Sequence, residues 1–178
     1  DSLEDAIEYL RKGLVWADVI AIGPGMGMNP ITEAILKIII KDSRKPMVLD
    51  ADAITILSKE EVYSTLKALQ EKDDSKRDLI LTPHPLELSR ICHCDKNMIM
   101  ENGLQLAMDL AKDLHAVVVK KDANTIICDN TQLVLNIGSN SGMATAGSGD
   151  VLCGIIAAFM ALHLPVFDTA AISVYLHS

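Results

Sequence analysis

The sequence contains few aromatic and few basic residues. One Trp, three Tyr and two Phe are present among 178 residues, and 16 basic residues are outnumbered by 24 acidic ones, which gives a formal net charge of −8. Proteins that bind nucleic acid or anionic membranes gather Lys and Arg to neutralise phosphates. The scattered basic residues therefore argue against nucleic-acid binding and against binding to a membrane surface. Any anionic ligand would be held by backbone N–H groups and a few selected side chains.

A membrane-spanning segment is also lacking. The charge-free run 151–167 falls short of the roughly 20 apolar residues that cross a bilayer, and it contains Gly154, His163 and Pro165. This run predicts a buried helix instead.

The sequence contains four cysteines and no secretory signal at its start. Reduced thiols in the cytoplasm are the expectation for such a chain. Cys92-His93-Cys94 is spaced too tightly for the usual zinc knuckle, and no second pair of ligands follows.

The length of 178 residues suits one domain, but both ends of the sequence look cut. Residue 1 is Asp rather than Met, and the apolar, helically spaced stretch 167–177 stops without a terminating residue. We therefore expect residues 1–178 to form a single but incomplete domain.

Short apolar runs alternate with longer amphipathic ones, which predicts an α/β fold with a mainly parallel central sheet flanked by helices. Predicted strands cover residues 18–23, 46–50, 79–82 and 116–120. Predicted helices cover residues 30–41, 58–70, 86–91, 102–114 and 150–162, with Asn29 as the N-cap of the first and Ser58 of the second. Residues 125–128 and 133–136 predict an antiparallel hairpin. Ligands of such folds bind at the carboxyl ends of the strands.

The most distinctive segment is a glycine-rich loop at residues 142–152, GMATAGSGDVL. Gly147 and Gly149 allow positive φ and a close approach of a ligand to the backbone. A helix that begins near Asp150 would turn its free N–H groups towards this loop and form an anion site suited to a phosphoryl group. Asp150 is either a base towards a hydroxyl that meets the phosphoryl group or simply a helix cap.

Polar or glycine-rich residues also follow the first two predicted strands. The turn GPGMG at residues 23–27 would let a ligand lie against the main chain, or would serve only as a tight turn; without a following Gly-Lys-Ser/Thr it is not a phosphate loop. Asp50 and Asp52 follow the second strand, where they would hold a metal-bound water or cap the next helix.

His84 follows the third strand and stands between two prolines, which predicts a rigidly held ring that faces the crevice. The alternative is a loop histidine with its hydrogen bonds satisfied locally. Glu87 lies one helical turn further on and would share its face. The remaining histidines have no comparable context and are taken as ordinary: His93, His115, His163 and His177.

Taken in this order, these stretches resemble the ADP/ATP-dependent NAD(P)H-hydrate dehydratase family, which has the ribokinase-like fold. The strongest element is NSGMATAGSGDVLCGIIAA at residues 140–158, and the supporting elements are GPGMG, VLDADAI at 48–54 and LTPHPLE at 81–87. The resemblance implies that the C6 hydroxyl of hydrated NADH or NADPH (NAD(P)HX) is phosphorylated from ADP or ATP, and that phosphate then leaves.

The resemblance also implies roles for individual residues. Asp150 would be the base and would contact the substrate, and Gly147, Ser148 and Gly149 would bind the transferred phosphoryl group. Gly25, Gly27 and His84 would contact the substrate, Glu87 would help to organise Mg²⁺, and the nucleotide would be bound by Gly149 and by the stretch Lys121, Asp122, Ala123, Asn124, Thr125.

The sequence departs from the family pattern at Leu86 and Asp122, where Gly is usual, and at Ser141, where Pro is common. Leu86 would tighten the substrate side of the cleft. Asp122 would add negative charge near the nucleotide phosphates unless its side chain turns outward.

Family members tend to be homo-oligomers, which the resemblance implies here as well. The bifunctional members carry an NAD(P)HX epimerase domain, and the resemblance leaves open whether an epimerase is fused to this chain or separate. Two alternatives stay open: a ribokinase-like kinase for a vitamin or sugar alcohol, and a catalytically inactive nucleotide-binding module.

Overall fold

A computed structural model of the chain describes residues 3–138 and 147–178. Ser141 and the first part of the glycine-rich loop lie outside the described residues. The helices are α1 (Leu3–Trp16), α2 (Pro30–Asp42), α3 (Ala51–Leu57), α4 (Glu60–Gln70), α5 (Pro85–Ile91), α6 (Lys96–Asp113), α7 (Ser148–Met160) and α8 (Val166–His177). The strands are β1 (Ile20–Ile22), β2 (Met47–Leu49), β3 (Leu79–Leu81), β4 (Val117–Lys120), β5 (Thr125–Cys128) and β6 (Leu133–Asn136).

The described strands form one sheet in the order β1-β2-β3-β4-β5-β6. The first four run parallel, as in the pairs Ile20 with Met47 and Leu49 with Leu81. The last two pair antiparallel, with Cys128 opposite Leu133. This confirms the predicted mainly parallel sheet with its hairpin near the C-terminal part. The hairpin strands also match their predicted bounds, whereas each parallel strand is shorter than predicted.

Helices cover both faces of the sheet because successive side chains of a strand point to opposite sides. Met47, Leu49 and Leu81 pack into the larger core together with α2 to α6. Val48 and Ile80 pack into the second core, to which α7 and α8 contribute. Because these strands are buried on both faces, their residues are apolar at successive positions. These continuous apolar runs allowed the strands to be predicted from the sequence.

The predicted helix caps differ in outcome. Asn29 is confirmed as the N-cap of α2, and its Oδ1 accepts hydrogen bonds from the backbone N–H of Ile31 at 2.9 Å and of Thr32 at 3.1 Å. The prediction for Ser58 is wrong: Ser58 follows the last residue of α3, and its hydroxyl donates to the carbonyl oxygen of Thr55. Helix α3 was not predicted, and Ser58, which ends this helix, was therefore interpreted as the start of the next one.

Helix α6 begins six residues before its predicted start at Asn102. The side chain of Asp95 caps it by accepting from the N–H of Met98 at 2.9 Å. Asn102 has a non-helical φ of −127° inside the helix. The predicted start therefore coincides with a kink inside α6. Helix α1 was not predicted either.

Among residues 3–138 and 147–178, no helix combines the length and the apolar character that crossing a membrane requires.

Candidate active site

The ends of β1 and β2 are in direct backbone contact at Gly23. This residue has φ +127°, and a Cβ added to it would lie 1.7 Å from the carbonyl oxygen of Asp50. Only glycine fits such a contact, since the obstacle is main chain and the φ value excludes L side chains. The GPGMG turn therefore leaves the sheet directly over the end of β2 and beside Asp50.

A buried ion pair joins the ends of β2 and β4. Nζ of Lys121 lies 2.6 Å from Oδ1 of Asp50, whose side chain is only 2 % exposed. A Cβ added to Gly149 would lie 3.4 Å from this Nζ and 3.9 Å from Oδ2 of Asp50. The ion pair therefore borders the first turn of α7, and Gly149 leaves room for the lysine ammonium there.

Gly147 is the N-cap of α7 and has the left-handed φ of +88° that the sequence predicted for this loop. Gly149 differs from that prediction, because it lies inside the helix. The first intrahelical bond runs from the N–H of Val151 to the carbonyl oxygen of Gly147. The N–H groups of Ser148, Gly149 and Asp150 thus precede the first helical donor, Val151, and have no intrahelical acceptor, which leaves them suited to bind an anion.

Asp150 lies exposed in the first turn of α7. Within the described part of the chain its carboxylate has no hydrogen bond and no ion pair, and no side chain caps this helix. The interpretation of Asp150 as the helix cap is therefore wrong, because Gly147 holds that position. A free carboxylate beside free N–H groups is the arrangement that a base next to a phosphoryl site requires.

The turn that carries Gly25 and Gly27 is fixed by the first turn of α3. The N–H of Gly27 donates to Oδ2 of Asp52 at 2.8 Å. At Gly25 an added Cβ would meet nothing within 4 Å, so the space above the turn is open. Asp52 therefore holds the turn, and Asp50 pairs with Lys121, so neither side chain caps α3 as one interpretation had it.

His84 and Glu87 form a reciprocal cap at the start of α5. Nδ1 of His84 accepts from the N–H groups of Leu86 at 3.1 Å and Glu87 at 3.2 Å, and Oε2 of Glu87 accepts from the N–H of His84 at 2.9 Å. Nε2 of His84 lies 3.1 Å from Oε1 of the nearly buried Glu87. Nδ1 is thus satisfied by local hydrogen bonds and Nε2 faces the Glu87 carboxylate, and substrate contact by this half-exposed ring stays a prediction. The departure Leu86 has an exposed side chain.

Both carboxylate oxygens of Glu87 lie against His84: Oε2 accepts from its backbone N–H, and Oε1 lies 3.1 Å from its Nε2. In the ranges that the structure describes, no group of three or more His, Cys, Asp or Glu side chains could hold a metal. The role of Glu87 in organising Mg²⁺ stays a prediction.

The five residues predicted to bind nucleotide divide between two locations. The side chain of Lys121 reaches the start of α7, whereas Ala123 and Asn124 are exposed at the turn into β5, which begins at Thr125. Asp122 accepts from the buried ammonium of Lys120 at 2.8 Å, and this hydrogen bond lowers the pKa of the Asp122 carboxyl group. The extra negative charge is therefore paired.

The cysteines have no part in the proposed chemistry, although Cys153 on α7 lies near the charges of Asp50, Lys121 and Asp150. All four are free thiols, and burial raises the pKa of Cys92, Cys128 and Cys153 to about 12. Neutral buried thiols are poor nucleophiles, so these side chains serve packing.

Two contacts that shape the site were not predicted from the sequence. The pair of Asp50 with Lys121 joins residues 71 positions apart. His177, taken as ordinary, contacts the carbonyl oxygen of Ser148. No local sequence pattern signals either contact.

Comparison with known proteins places this geometry in context. A family model described as NAD(P)H-hydrate dehydratase matches residues 3–178. The chain is 37% identical over 174 residues to the bifunctional NAD(P)H-hydrate repair enzyme of Moorella thermoacetica, covering 97% of this chain and 31% of that protein. It is 36% identical over 166 residues to the ADP-dependent (S)-NAD(P)H-hydrate dehydratase of Enterococcus faecalis, covering 91% of this chain and 52% of that protein. The chain thus spans about a third to a half of the length of these relatives.

Solved structures are similar as well. A ribokinase-like superfamily protein of Enterococcus faecalis superimposes with a TM-score of 0.82 at 31% identity, covering 99% of this chain and 58% of that one. The ADP/ATP-dependent NAD(P)H-hydrate dehydratase of Bacillus subtilis, co-crystallised with ATP and Mg²⁺, superimposes with a TM-score of 0.73 at 27% identity, covering 90% and 53%. The predicted ribokinase-like fold is confirmed.

Proposed function

The chain belongs to the NAD(P)H-hydrate dehydratase family, and from this premise we propose that it takes part in the nucleotide-dependent dehydration of NAD(P)HX to NADH or NADPH. One observation carries the proposal. Within the described part of the chain, the carboxylate of Asp150 has no hydrogen-bond or ion-pair partner, and it stands beside the N–H groups at the start of α7 that lack intrahelical acceptors.

The proposed reaction begins with proton transfer. Asp150 accepts the proton of the C6 hydroxyl as that oxygen bonds to the terminal phosphorus of ADP or ATP, and the bond from phosphorus to the leaving nucleotide breaks. The N–H groups of Gly147, Ser148 and Gly149 bind the oxygens of the transferred phosphoryl group. The C6–O bond then breaks with its electrons leaving on phosphate, and loss of a proton from the neighbouring carbon restores the ring double bond.

Lys121 supports this step by its position. Its ammonium borders the first turn of α7 and is balanced by Asp50, so it would contact a phosphate of the nucleotide. The open turn at Gly25 and Gly27 and the exposed part of His84 would form the substrate side. Ala123, Asn124 and Thr125 would contact the rest of the nucleotide.

Several further expectations from the family belong to the same proposal. Relatives named as bifunctional repair enzymes support a fused or separate epimerase that supplies the substrate. Four free thiols suit a cytoplasmic setting. A homo-oligomeric state stays a prediction that size-exclusion chromatography with light scattering would decide. Magnesium would arrive with the nucleotide phosphates rather than at a preformed protein site.

The direct test follows the absorbance of reduced nicotinamide after hydrated NADH, a nucleotide and magnesium are added to the full chain. Asp150→Asn should lose turnover by roughly 10²- to 10⁴-fold, the usual contribution of a general base, while calorimetric titration shows that ADP still binds. Asp168→Asn is the matched control, since Asp168 is also an exposed carboxylate in the first turn of a helix.

Two results would contradict the proposal. Turnover of Asp150→Asn at the parental rate would remove the base assignment. A phosphorylated product that accumulates without recovery of the absorbance band would indicate a small-molecule kinase instead.

A further inference from the structure

The last turn of α8 contacts the first turn of α7 through one side chain. Nε2 of His177 lies 2.8 Å from the carbonyl oxygen of Ser148 and 3.3 Å from the Oγ of the same residue. A carbonyl oxygen can only accept a hydrogen bond, so Nε2 carries the proton and donates it to Ser148. The contact is partly buried, which shields it from competing water.

The acceptor of this hydrogen bond belongs to the peptide unit that supplies the Gly149 N–H. A trans peptide bond is planar, so the carbonyl oxygen of Ser148 and the N–H of Gly149 point in opposite directions along one rigid plane. A donor that holds the oxygen therefore also fixes the direction of the N–H. Hydrogen bonds in series also polarise one another, so the engaged carbonyl strengthens the N–H as a donor.

The first turn of α7 lacks a side-chain cap. Within the described residues no side-chain hydrogen bond caps the helix, and Gly147 and Gly149 add conformational freedom on both sides of Ser148. Terminal helical turns without caps fray. His177 supplies from a neighbouring helix the restraint that a capping side chain would otherwise give.

We propose that His177 is a positioning residue that aims the Gly149 N–H at the transferred phosphoryl group. The expected effect on kcat rests on the proposed function. The effect on the orientation of the peptide plane does not depend on it. The side chain touches neither the substrate nor the nucleotide; it acts through the Ser148–Gly149 peptide.

The kinetic test compares two substitutions at His177 by the recovery of reduced nicotinamide. His177→Leu removes the donor and should lower kcat about tenfold, as expected for loss of one hydrogen bond that matters in the transition state. KM for the nucleotide should change little, because most nucleotide contacts remain. His177→Gln should restore most of kcat, since its amide nitrogen occupies nearly the place of Nε2. Tyr175→Leu on the same helix is the control, because its side chain is 74% exposed.

A spectroscopic test separates this inference from the proposed function. In ¹⁵N-labelled protein without substrate, the Gly149 amide resonance should shift in His177→Leu and return towards its parental position in His177→Gln. Tyr175→Leu should leave it in place. If His177→Leu fails to fold, His177→Asn replaces it, because the shorter amide does not reach the position of Nε2.

The inference is overturned if the Gly149 resonance is the same in the parental protein and in the variant without the donor. It is also overturned if His177→Gln is as impaired in kcat as His177→Leu. If neither the parental protein nor any variant shows turnover but the Gly149 resonance shifts as expected, the proposed function is contradicted. The role of His177 in orienting the Gly149 N–H is then still supported.

Discussion

The pair of Asp50 and Lys121 predicts an unequal response to removal of its two partners. The Asp50 side chain is 2% exposed and the Lys121 side chain is 22% exposed. Lys121→Met leaves a carboxylate buried without its cation, which costs several kcal/mol. In Asp50→Asn, the partly exposed Lys121 can turn its ammonium towards water. The amide oxygen of the substituted side chain at position 50 can still accept a hydrogen bond. The lysine substitution should therefore be the more destabilising one.

The magnitudes follow from burial. Because Lys121 is partly exposed, we take the lower end of the range for a broken buried pair, about 3 kcal/mol for Lys121→Met. Asp50→Asn should cost about 1 kcal/mol, the net value of one hydrogen bond. For a protein of this size, about 3 kcal/mol corresponds to a fall in Tm of roughly 6–12 °C.

The assay is urea unfolding of the parental protein, both single variants and the double variant Asp50→Asn/Lys121→Met. The double variant contains no orphan charge, so its cost should be smaller than the sum of the single costs by at least about 1 kcal/mol. Additivity within about 0.5 kcal/mol would refute the coupling. A larger cost for Asp50→Asn than for Lys121→Met would refute the reasoning from burial.

Two further predictions concern stability. Gly23→Ala should destabilise the protein by more than about 3 kcal/mol, because the added Cβ would lie 1.7 Å from main-chain atoms. Gly25→Ala should cost only about 1–2 kcal/mol, because Gly25 has positive φ but open space around it. Equal unfolding midpoints of the two variants in urea would contradict the predicted steric clash. Burial raises the pKa of Asp113, but hydrogen bonds from Lys67 and Tyr63 outweigh burial and lower it overall. A carboxyl group whose pKa is lower in the folded state stabilises the protein above its unfolded pKa of roughly 4, and the stabilisation is lost as the pH falls through the folded value. Thermal unfolding of Asp113→Asn should accordingly depend less steeply on pH below roughly pH 4–5 than the parental protein, and parallel curves for the two proteins would contradict this.

Local sequence patterns were sufficient wherever a single segment determines its own conformation. The cap at Asn29 and the hairpin strands were predicted correctly because cap, turn and alternation are encoded within a few residues. The error at Ser58 has the same origin. Ser58 with the acidic Glu61 three positions later has the local pattern of a helix N-cap, but in the structure Ser58 is the residue that ends α3.

The residues predicted for the site were recognised by motif, whereas their present partners depend on packing. His84 was expected to face the crevice, or to have its hydrogen bonds satisfied locally. The structure shows a reciprocal cap with Glu87, which is the carboxylate expected to organise Mg²⁺. These local hydrogen bonds lie within three residues and were open to prediction, whereas the burial of Glu87 depends on the packing of the whole fold.

The sequence by itself determined the order of the strands and of the helices other than α1 and α3, and the mainly parallel sheet, since these follow from periodicity and turn residues. It also determined the family and the segment in which the chemistry is expected, because these depend on motifs that follow one another in a fixed order. Only the tertiary structure decided what surrounds that segment. Asp50 comes next to Lys121 and His177 next to Ser148 because parallel strands end at one edge of the sheet and α8 packs on α7. Such contacts join residues far apart in the chain, and their formation depends on the packing of whole elements rather than on any local pattern.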